Sequence, residues 1–182
     1  MVKHSRLVKR FYLLIFLLLT NTAFGQSQFD RTLSLLQWLV TKHHVKYLFA
    51  KSNAAVFYDK NGLTKQTLVD ENDKAIPGKC MKDNLSEAEI ELYKTVPPLL
   101  VQKDWRKHFQ DLKVKFISDV PQNSTKSICY FTEPLFLNDN KTRVLIGWSF
   151  TCGIACGRDD LLLCEFRDGH WSLIAEAVIY ND

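Results

Sequence analysis

The side chains best suited to chemistry in this sequence are its cysteines. There are five, at Cys80, Cys129, Cys152, Cys156 and Cys164. Because five is an odd number, at least one thiol stays free or pairs outside the chain. Three residues separate Cys152 from Cys156, and Gly153 gives the backbone the freedom that a short disulfide requires. A disulfide between these two cysteines would fix the shape of a loop, and it is the pairing that the sequence suggests.

Three other roles for this cysteine pair fit the sequence less well. A thiol redox motif places two residues between its cysteines and opens a helix, whereas this pair has three residues between them and strand-like flanks. A zinc site could recruit Cys80 or His170, but structural zinc sites favour two short-spaced pairs of ligands. A nucleophilic cysteine needs a neighbouring base, which the sequence does not place. We therefore predict no catalytic, cofactor-binding or metal-binding residue.

The loop that carries the pair is the best candidate for a binding surface. It is predicted to run from Cys152 to Asp160, before a strand that begins at Leu161. Its candidate binding residues are Gly153, Gly157, Arg158, Asp159 and Asp160. Asp159 and Asp160 could hold a cation, although they lack the spaced oxygen ligands of a calcium loop.

The segments that flank this loop are predicted to form three antiparallel strands. Apolar residues alternate along the first strand, near Trp148, and the Asp168-Gly169 dipeptide is typical of a type I′ turn between the other two. The register that follows joins three pairs on one face, Phe166 with Trp171, Cys164 with Leu173, and Leu162 with Ala175. We expect that face to be apolar and the other to be mixed and partly wet.

The first helix is predicted from Phe29 to Phe49. Ser27 and Asp30 have the spacing of a capping box, and apolar residues then recur at helical intervals. His43 and His44 fall near the end of this helix, where imidazolium suits the negative end of the helix dipole. Adjacent side chains diverge too far to chelate one metal, so we expect both histidines to be solvated.

The middle of the chain mixes short elements with turns. The predictions are a hairpin from Ala54 to Val69 around Asn61-Gly62, a loop from Asp70 to Asn84, a helix opened by a Ser86–Glu89 capping box, a helix over Asp104–Leu112, and strands at Val114–Ile117 and Ser127–Phe131. Trp105 and Phe109 are expected to face inward, because buried aromatic residues are commoner than exposed ones.

The N-terminus has the three parts of a secretory signal peptide. A basic leader precedes an apolar run from Phe11 to Leu19, and Ala23-Phe24-Gly25 has the small residues that signal peptidase reads. A membrane span needs about 20 apolar residues, so we predict cleavage after Gly25, a secreted or periplasmic protein, and no stable membrane anchor. Four of the 24 basic residues lie in the leader, which leaves 20, equal to the 20 acidic residues. This balance indicates no surface for nucleic acid.

The last third of the chain carries a resemblance. Its residues are Pro134-Leu135-Phe136, the Cys-Gly-Ile-Ala-Cys-Gly segment at 152–157 and the turn from Asp168 to Trp171. From Phe131 to Tyr180 the sequence resembles small exported proteins of Bacteroidota-type bacteria, which end in a Cys-Gly-rich loop and a G-x-W hairpin. Those proteins often continue with further glycines where this chain has Arg158. The resemblance implies an exported protein with a terminal sheet, and it implies no reaction.

Together these patterns predict a signal peptide at residues 1–25 and a single α+β domain at 26–182. A helix packs on a curved antiparallel sheet of about four to six strands, as in cystatin or nuclear transport factor 2 folds, and a β-meander ends the chain. With no catalytic signature, the sequence favours a non-enzymatic binding or structural protein of the cell envelope, whose partner is an envelope protein or a small ligand. The alternatives are a thiol-dependent redox or hydrolytic enzyme using Cys152 and Cys156, and a small inhibitor or immunity-type protein.

Overall fold

The computed structural model describes most of the chain beyond the predicted signal peptide. The described residues are 30–52, 63, 67–95, 104–108, 112–119, 126–151 and 157–179. The chain divides into two compact units, residues 1–36 and 37–182. Of the first unit only the start of a helix is described, so the predicted cleavage site at Gly25 lies outside the described residues. A single domain from residue 26 onward stays a prediction.

Besides the helical residue Leu63, the described ranges contain three α-helices, one 3-10 helix and nine strands. The helices are α1 (residues 30–42), α2 (Glu87–Thr95) and α3 (Trp105–His108), and the 3-10 helix is Met81–Asn84. The strands are β1 (Tyr47–Phe49), β2 (Thr67–Val69), β3 (Ala75–Cys80), β4 (Lys115–Ile117), β5 (Ile128–Phe131), β6 (Leu135–Phe136), β7 (Arg143–Thr151), β8 (Gly157–Arg167) and β9 (His170–Ile179). The α+β class predicted from the sequence is confirmed.

The strands form one sheet in the order β3-β2-β9-β8-β7-β5-β1-β4, with β6 paired to β7 beside β5. The long strands β7, β8 and β9 form the predicted antiparallel meander. Strand β1 instead pairs in parallel with both β4 and β5. The described strands outnumber the four to six predicted, because strands as short as β1 and β6 carry too little sequence pattern to be recognised.

Helix α1 ends at residue 42, not at Phe49 as predicted. The backbone N–H of His44 donates to the carbonyl of Thr41 (3.3 Å), and that of Val45 donates to the carbonyl of Val40 (2.9 Å). These two bonds form a Schellman cap, with His44 at the left-handed position (φ 52°) that glycine usually occupies. Because no glycine marks this end, the sequence predicts a helix that continues through β1.

The turn between β8 and β9 is the predicted one. Asp168 and Gly169 have φ values of 52° and 85°, and a type I′ turn requires both to be positive. Phe166 pairs with Trp171, as predicted, and their ring centroids are 5.2 Å apart in an edge-on arrangement. The first half of the hairpin therefore follows the register that the turn dictates.

The predicted register was wrong beyond Cys164. A bulge between Leu163 and Cys164 pairs Ala175 with Leu163, and Glu176 with Leu162. A shift of one residue moves side chains to the opposite face of a strand. Glu176 therefore shares a face with Leu162, which the predicted register would not have allowed.

Each face of the sheet is named here by one residue. The Glu89 face carries the apolar cluster formed by Leu63, Leu68, Met81, Tyr93, Leu137, Leu145, Leu161, Leu163 and Ala177. The His43 face carries Trp148 and Leu162, and the ring of His43, just after α1, lies 4.3 Å from that of Trp148. Residues 144–149 of β7 are all buried. The Glu89 face, which the sequence predicts to be mixed and partly wet, is therefore buried along this part of β7.

Residues 70–84, predicted as a loop, contain β3 and the 3-10 helix. The Asp70 carboxylate accepts backbone hydrogen bonds from Asn72 and Lys74, both 2.9 Å, which forms the turn from β2 to β3. Strand β3 was missed because it is mostly exposed and contains Pro77-Gly78, a dipeptide that is typical of a turn. The Asn61-Gly62 turn lies outside the described residues.

Two predicted helices are present. The backbone N–H of Ser86 donates to Glu89 Oε2 (2.8 Å), and that of Glu89 donates to Ser86 Oγ (3.3 Å), which is the capping box expected at the start of α2. In α3 the Trp105 side chain is 2% exposed and packs inward, as expected. Phe109 lies outside the described residues.

Candidate functional site

The predicted disulfide cannot be placed on the structure. Cys152, Gly153 and Cys156 fall in residues 152–156, which lie outside the described residues. The disulfide therefore stays a prediction. The cysteines that the structure does describe, Cys80, Cys129 and Cys164, are free thiols.

The other candidate loop residues belong to a strand, which corrects the predicted loop end. Strand β8 begins at Gly157, not at Leu161, because Gly157 pairs with Thr151 and the ladder to β7 runs unbroken from there. Asp159 and Asp160 are consecutive in this strand, so their side chains point to opposite faces. They cannot hold one cation together.

Arg158 and Asp160 instead belong to a cluster on the His43 face. The Arg158 guanidinium donates to Asp160 Oδ1 (2.7 Å) through Nε, to Asp73 Oδ1 (2.8 Å) through Nη1 and to Glu176 Oε1 (3.1 Å) through Nη2. Asp160 is 1% exposed and Asp73 is exposed. We call these four residues the Arg158 cluster. A single guanidinium therefore donates hydrogen bonds to three carboxylates.

The bulge in β9 makes the Arg158 cluster possible. Without it, Glu176 would sit opposite Leu161 and point to the Glu89 face. With it, Glu176 pairs with Leu162 and points to the face of Arg158 and Asp160. The sequence could not indicate this cluster, because nothing in the residue pattern of β9 predicts the extra residue of the bulge.

Carboxylates in the Arg158 cluster resist ionisation. Burial raises the pKa of Asp160 to about 6, although the hydrogen bond and the charge of Arg158 act in the opposite direction. Burial also raises the pKa of Glu176, against the opposing charges of Arg158 and Lys42. Three carboxylates crowd one cation, so each weakens the hold of the others on it.

His43 lies beside this cluster and is uncharged at neutral pH. Burial lowers its pKa to about 4, and the nearby charges of Lys42 and Arg158 lower it further than Asp73 raises it. Its ring stacks on Trp148, which is the register partner of Asp160. The buried Nε2 of His43 has no hydrogen-bond partner within the described residues. The expectation that His43 is solvated and caps the helix as an imidazolium was wrong.

A cavity opens next to His43. It has a volume of about 330 Å³ and is lined by the segment after α1 and by strands β1, β5 and β7. Its lining residues are His43, His44, Val45, Lys46, Tyr47, Ser127, Cys129, Trp148 and Phe150. We call it the His43 cavity. Its lining combines aromatic rings, such as those of Trp148 and Phe150, with polar groups, such as those of Lys46 and Ser127.

The buried thiols of Cys129 and Cys164 are poor nucleophiles. Burial raises the pKa of Cys129, in the His43 cavity, to about 11, and it raises the pKa of Cys164 to about 12. Both thiols are therefore protonated at neutral pH, and only the thiolate attacks or binds metal. Within the described part of the chain, no group of three His, Cys, Asp or Glu side chains is placed to hold a metal ion.

One signal in the sequence could have revealed the His43 cavity. His43 follows Leu39 by four residues and Val40 by three, and both are buried. Residues at these spacings share one face of a helix, so His43 continues the apolar stripe of α1. His44 points elsewhere and is exposed. The two adjacent histidines therefore have different environments, one against the sheet and one in solvent.

Comparison with known proteins adds no relative. No protein-family model, curated protein or solved structure matches this chain. Among the described helices, none is long and apolar enough to cross a membrane. Only the geometry and charge of the site itself bear on function.

Proposed function

We propose that this chain is a non-enzymatic, exported protein that holds a small, mainly apolar ligand in the His43 cavity. The cavity lies where the segment after α1 meets the sheet, and its volume of about 330 Å³ falls at the lower end of the usual range for ligand sites. Aromatic side chains with a few polar groups are the common lining of such sites.

The single observation that carries the proposal is the aromatic lining of the cavity. The rings of His43, Tyr47, Trp148 and Phe150 line it, and the His43 ring lies 4.3 Å from that of Trp148. His43 is neutral at neutral pH, so its ring adds no charge to this wall. Aromatic rings contribute apolar surface to a ligand site and favour a mainly apolar ligand.

A binding role is better supported than a reaction. The thiol in the cavity, Cys129, is held in its protonated form. The nearby carboxylates of Asp160 and Glu176 are tied to Arg158 and are not free to act as general bases. Export is part of the proposal on the signal-peptide pattern alone, and N-terminal sequencing of the mature protein would check for a start at Gln26.

Binding can be tested with an uncharged probe, 2-naphthamide, followed by NMR of isotope-labelled protein. We expect the largest shift changes at Cys129, Trp148 and Phe150. Ser127 is exposed and lines the cavity, so Ser127→Trp should block it and weaken binding at least tenfold. The matched control is Ser118→Trp, because Ser118 is exposed and does not line the cavity. Shift changes away from the cavity, or equal affinities for both variants, would disprove the proposal.

A further inference from the structure

The residues around the His43 cavity are unevenly charged. None of its nine described lining residues is acidic, while His43, His44 and Lys46 are basic in type. His44 and Lys46 are exposed and so stand at the opening, whereas His43 is half-buried. The cavity therefore has an apolar interior and a basic entrance.

The nearby carboxylates do not neutralise this entrance. Asp73, Asp160 and Glu176 hold Arg158 through hydrogen bonds of 2.7–3.1 Å. Lys46 has no ion-pair partner within the described residues. Its ammonium is therefore available to an anion that arrives from solvent, whereas a cation would be repelled.

The interior favours the same kind of ligand. His43 is neutral at neutral pH, so its ring adds no charge to the interior. Phe150 and Trp148 offer apolar surface to the rest of the ligand. A volume of about 330 Å³ accepts a body of about two fused rings or a short acyl chain.

Resting on the proposed function, we infer that the ligand of the His43 cavity is a small amphiphilic carboxylate. Its apolar body contacts Trp148 and Phe150, and its carboxylate lies toward Lys46 at the entrance. The basic rim attracts the anion, and the aromatic wall selects for the apolar body.

Three probes with one body test this inference. They are 2-naphthoate, 2-naphthamide and 2-naphthylmethylammonium, which are anionic, neutral and cationic at pH 7. We expect naphthoate to bind about fivefold more tightly than naphthamide, and the ammonium more weakly than both, because one partly screened charge is worth about this factor. Added salt should weaken naphthoate binding and leave naphthamide binding unchanged.

A matched pair of variants identifies the cation responsible. Lys46→Gln should lower the affinity for naphthoate about fivefold and leave that for naphthamide unchanged, while Lys79→Gln, an exposed lysine of β3, should change neither. Circular dichroism confirms that each variant is folded. If naphthamide binds as tightly as naphthoate, the carboxylate assignment is wrong and the binding function stands. If no probe binds, both are wrong.

Discussion

The molecule has two clusters built around one arginine each, on opposite faces of the same sheet. On the Glu89 face, Arg143 Nε donates to Glu89 Oε1 (2.7 Å) and its Nη2 donates to the Asn84 carbonyl (2.8 Å). Burial alone would raise the pKa of Glu89, but hydrogen bonds from Arg143 and Ser86 outweigh it and hold the pKa below its ordinary value. The buried carboxylate of Glu89 therefore accepts a hydrogen bond at each of its two oxygens.

The Arg158 cluster on the His43 face shows the opposite behaviour. The pKa values of Asp160 and Glu176 are raised, mainly by burial. Beside the cluster lies His43, a half-buried imidazole whose buried Nε2 has no hydrogen-bond partner within the described residues. Perturbed and unsatisfied groups gather at functional sites more often than in purely structural regions. The difference supports the proposal made above, in which the Glu89 face stabilises the fold and the His43 face binds a ligand.

The largest expected effect is on the Glu89 face. Arg143→Met should lower the free energy of unfolding by about 3–5 kcal/mol, because Glu89 stays buried without its cation. Urea denaturation at pH 7 measures the loss. The control is Arg167→Met, because Arg167 pairs with Glu165 at 3.2 Å but is 72% exposed and should contribute less than about 1 kcal/mol. A similar loss for both variants would contradict the structural role of Arg143.

A smaller effect that depends on pH is expected in the Arg158 cluster. Arg158→Met should lower the free energy of unfolding by about 2–3 kcal/mol at pH 8, where Asp160 must stay ionised without its cation. At pH 5 the loss should shrink, because Asp160, whose pKa is about 6 even beside Arg158, binds a proton instead. The loss in Arg143→Met should change less over this range, since Ser86 still donates to ionised Glu89. Equal pH dependence in the two variants would remove the contrast between the faces.

His43 and Asp160 should give opposite pH dependence to stability. The pKa of His43 falls from 6.5 to about 4 on folding, so its contribution grows as the pH rises from 4 to 6.5. The pKa of Asp160 rises from 3.8 to about 6 on folding, so its contribution declines over nearly the same range. In the wild type the two trends largely cancel.

Single substitutions should separate these trends. As the pH rises from 4 to 6.5, the free energy of unfolding of His43→Phe should fall relative to that of the wild type. Over the same range that of Asp160→Asn should rise, and each change should be on the order of 2 kcal/mol. Denaturation curves at pH 4, 5 and 6.5 measure both. Profiles parallel to that of the wild type would show that neither group titrates as its burial requires.

The smallest expected effect concerns the turn that holds His43. His44→Gly should raise the free energy of unfolding by about 0.5–1 kcal/mol, because glycine adopts the positive φ of the Schellman cap without strain. His44→Ala keeps the strain and should bring no gain. Thermal unfolding of both variants makes the comparison. A gain in His44→Ala would mean that the histidine side chain, and not its backbone, is unfavourable.

The sequence predicted those elements whose signals are local. The Asp168-Gly169 turn, the Ser86 capping box and the alternation near Trp148 each act within a few residues, and each was found where predicted. The α+β class followed from them. The register beyond Cys164 could not be predicted, because one extra residue in β9 shifts it and the turn does not specify that residue.

The site could be predicted only in part. Arg158 and Asp160 were chosen as binding residues, but as parts of a loop, since two adjacent aspartates and a glycine are typical of one. Their true partners, Asp73 and Glu176, are distant in sequence or displaced by the bulge. The sequence predicts a solvated cap at His43, because a histidine at the end of a helix commonly has that role, and only the packing of His43 on Trp148 shows otherwise.

Strand β1 has a consequence for the order in which the chain can fold. It lies between β4 and β5, and β2 lies beside β9, so early segments wait for partners synthesised much later. Long-range pairings of this kind slow folding, because a large loop must close before they form. A newly made chain would thus stay unfolded for longer, until its last strands have been synthesised and the sheet can close.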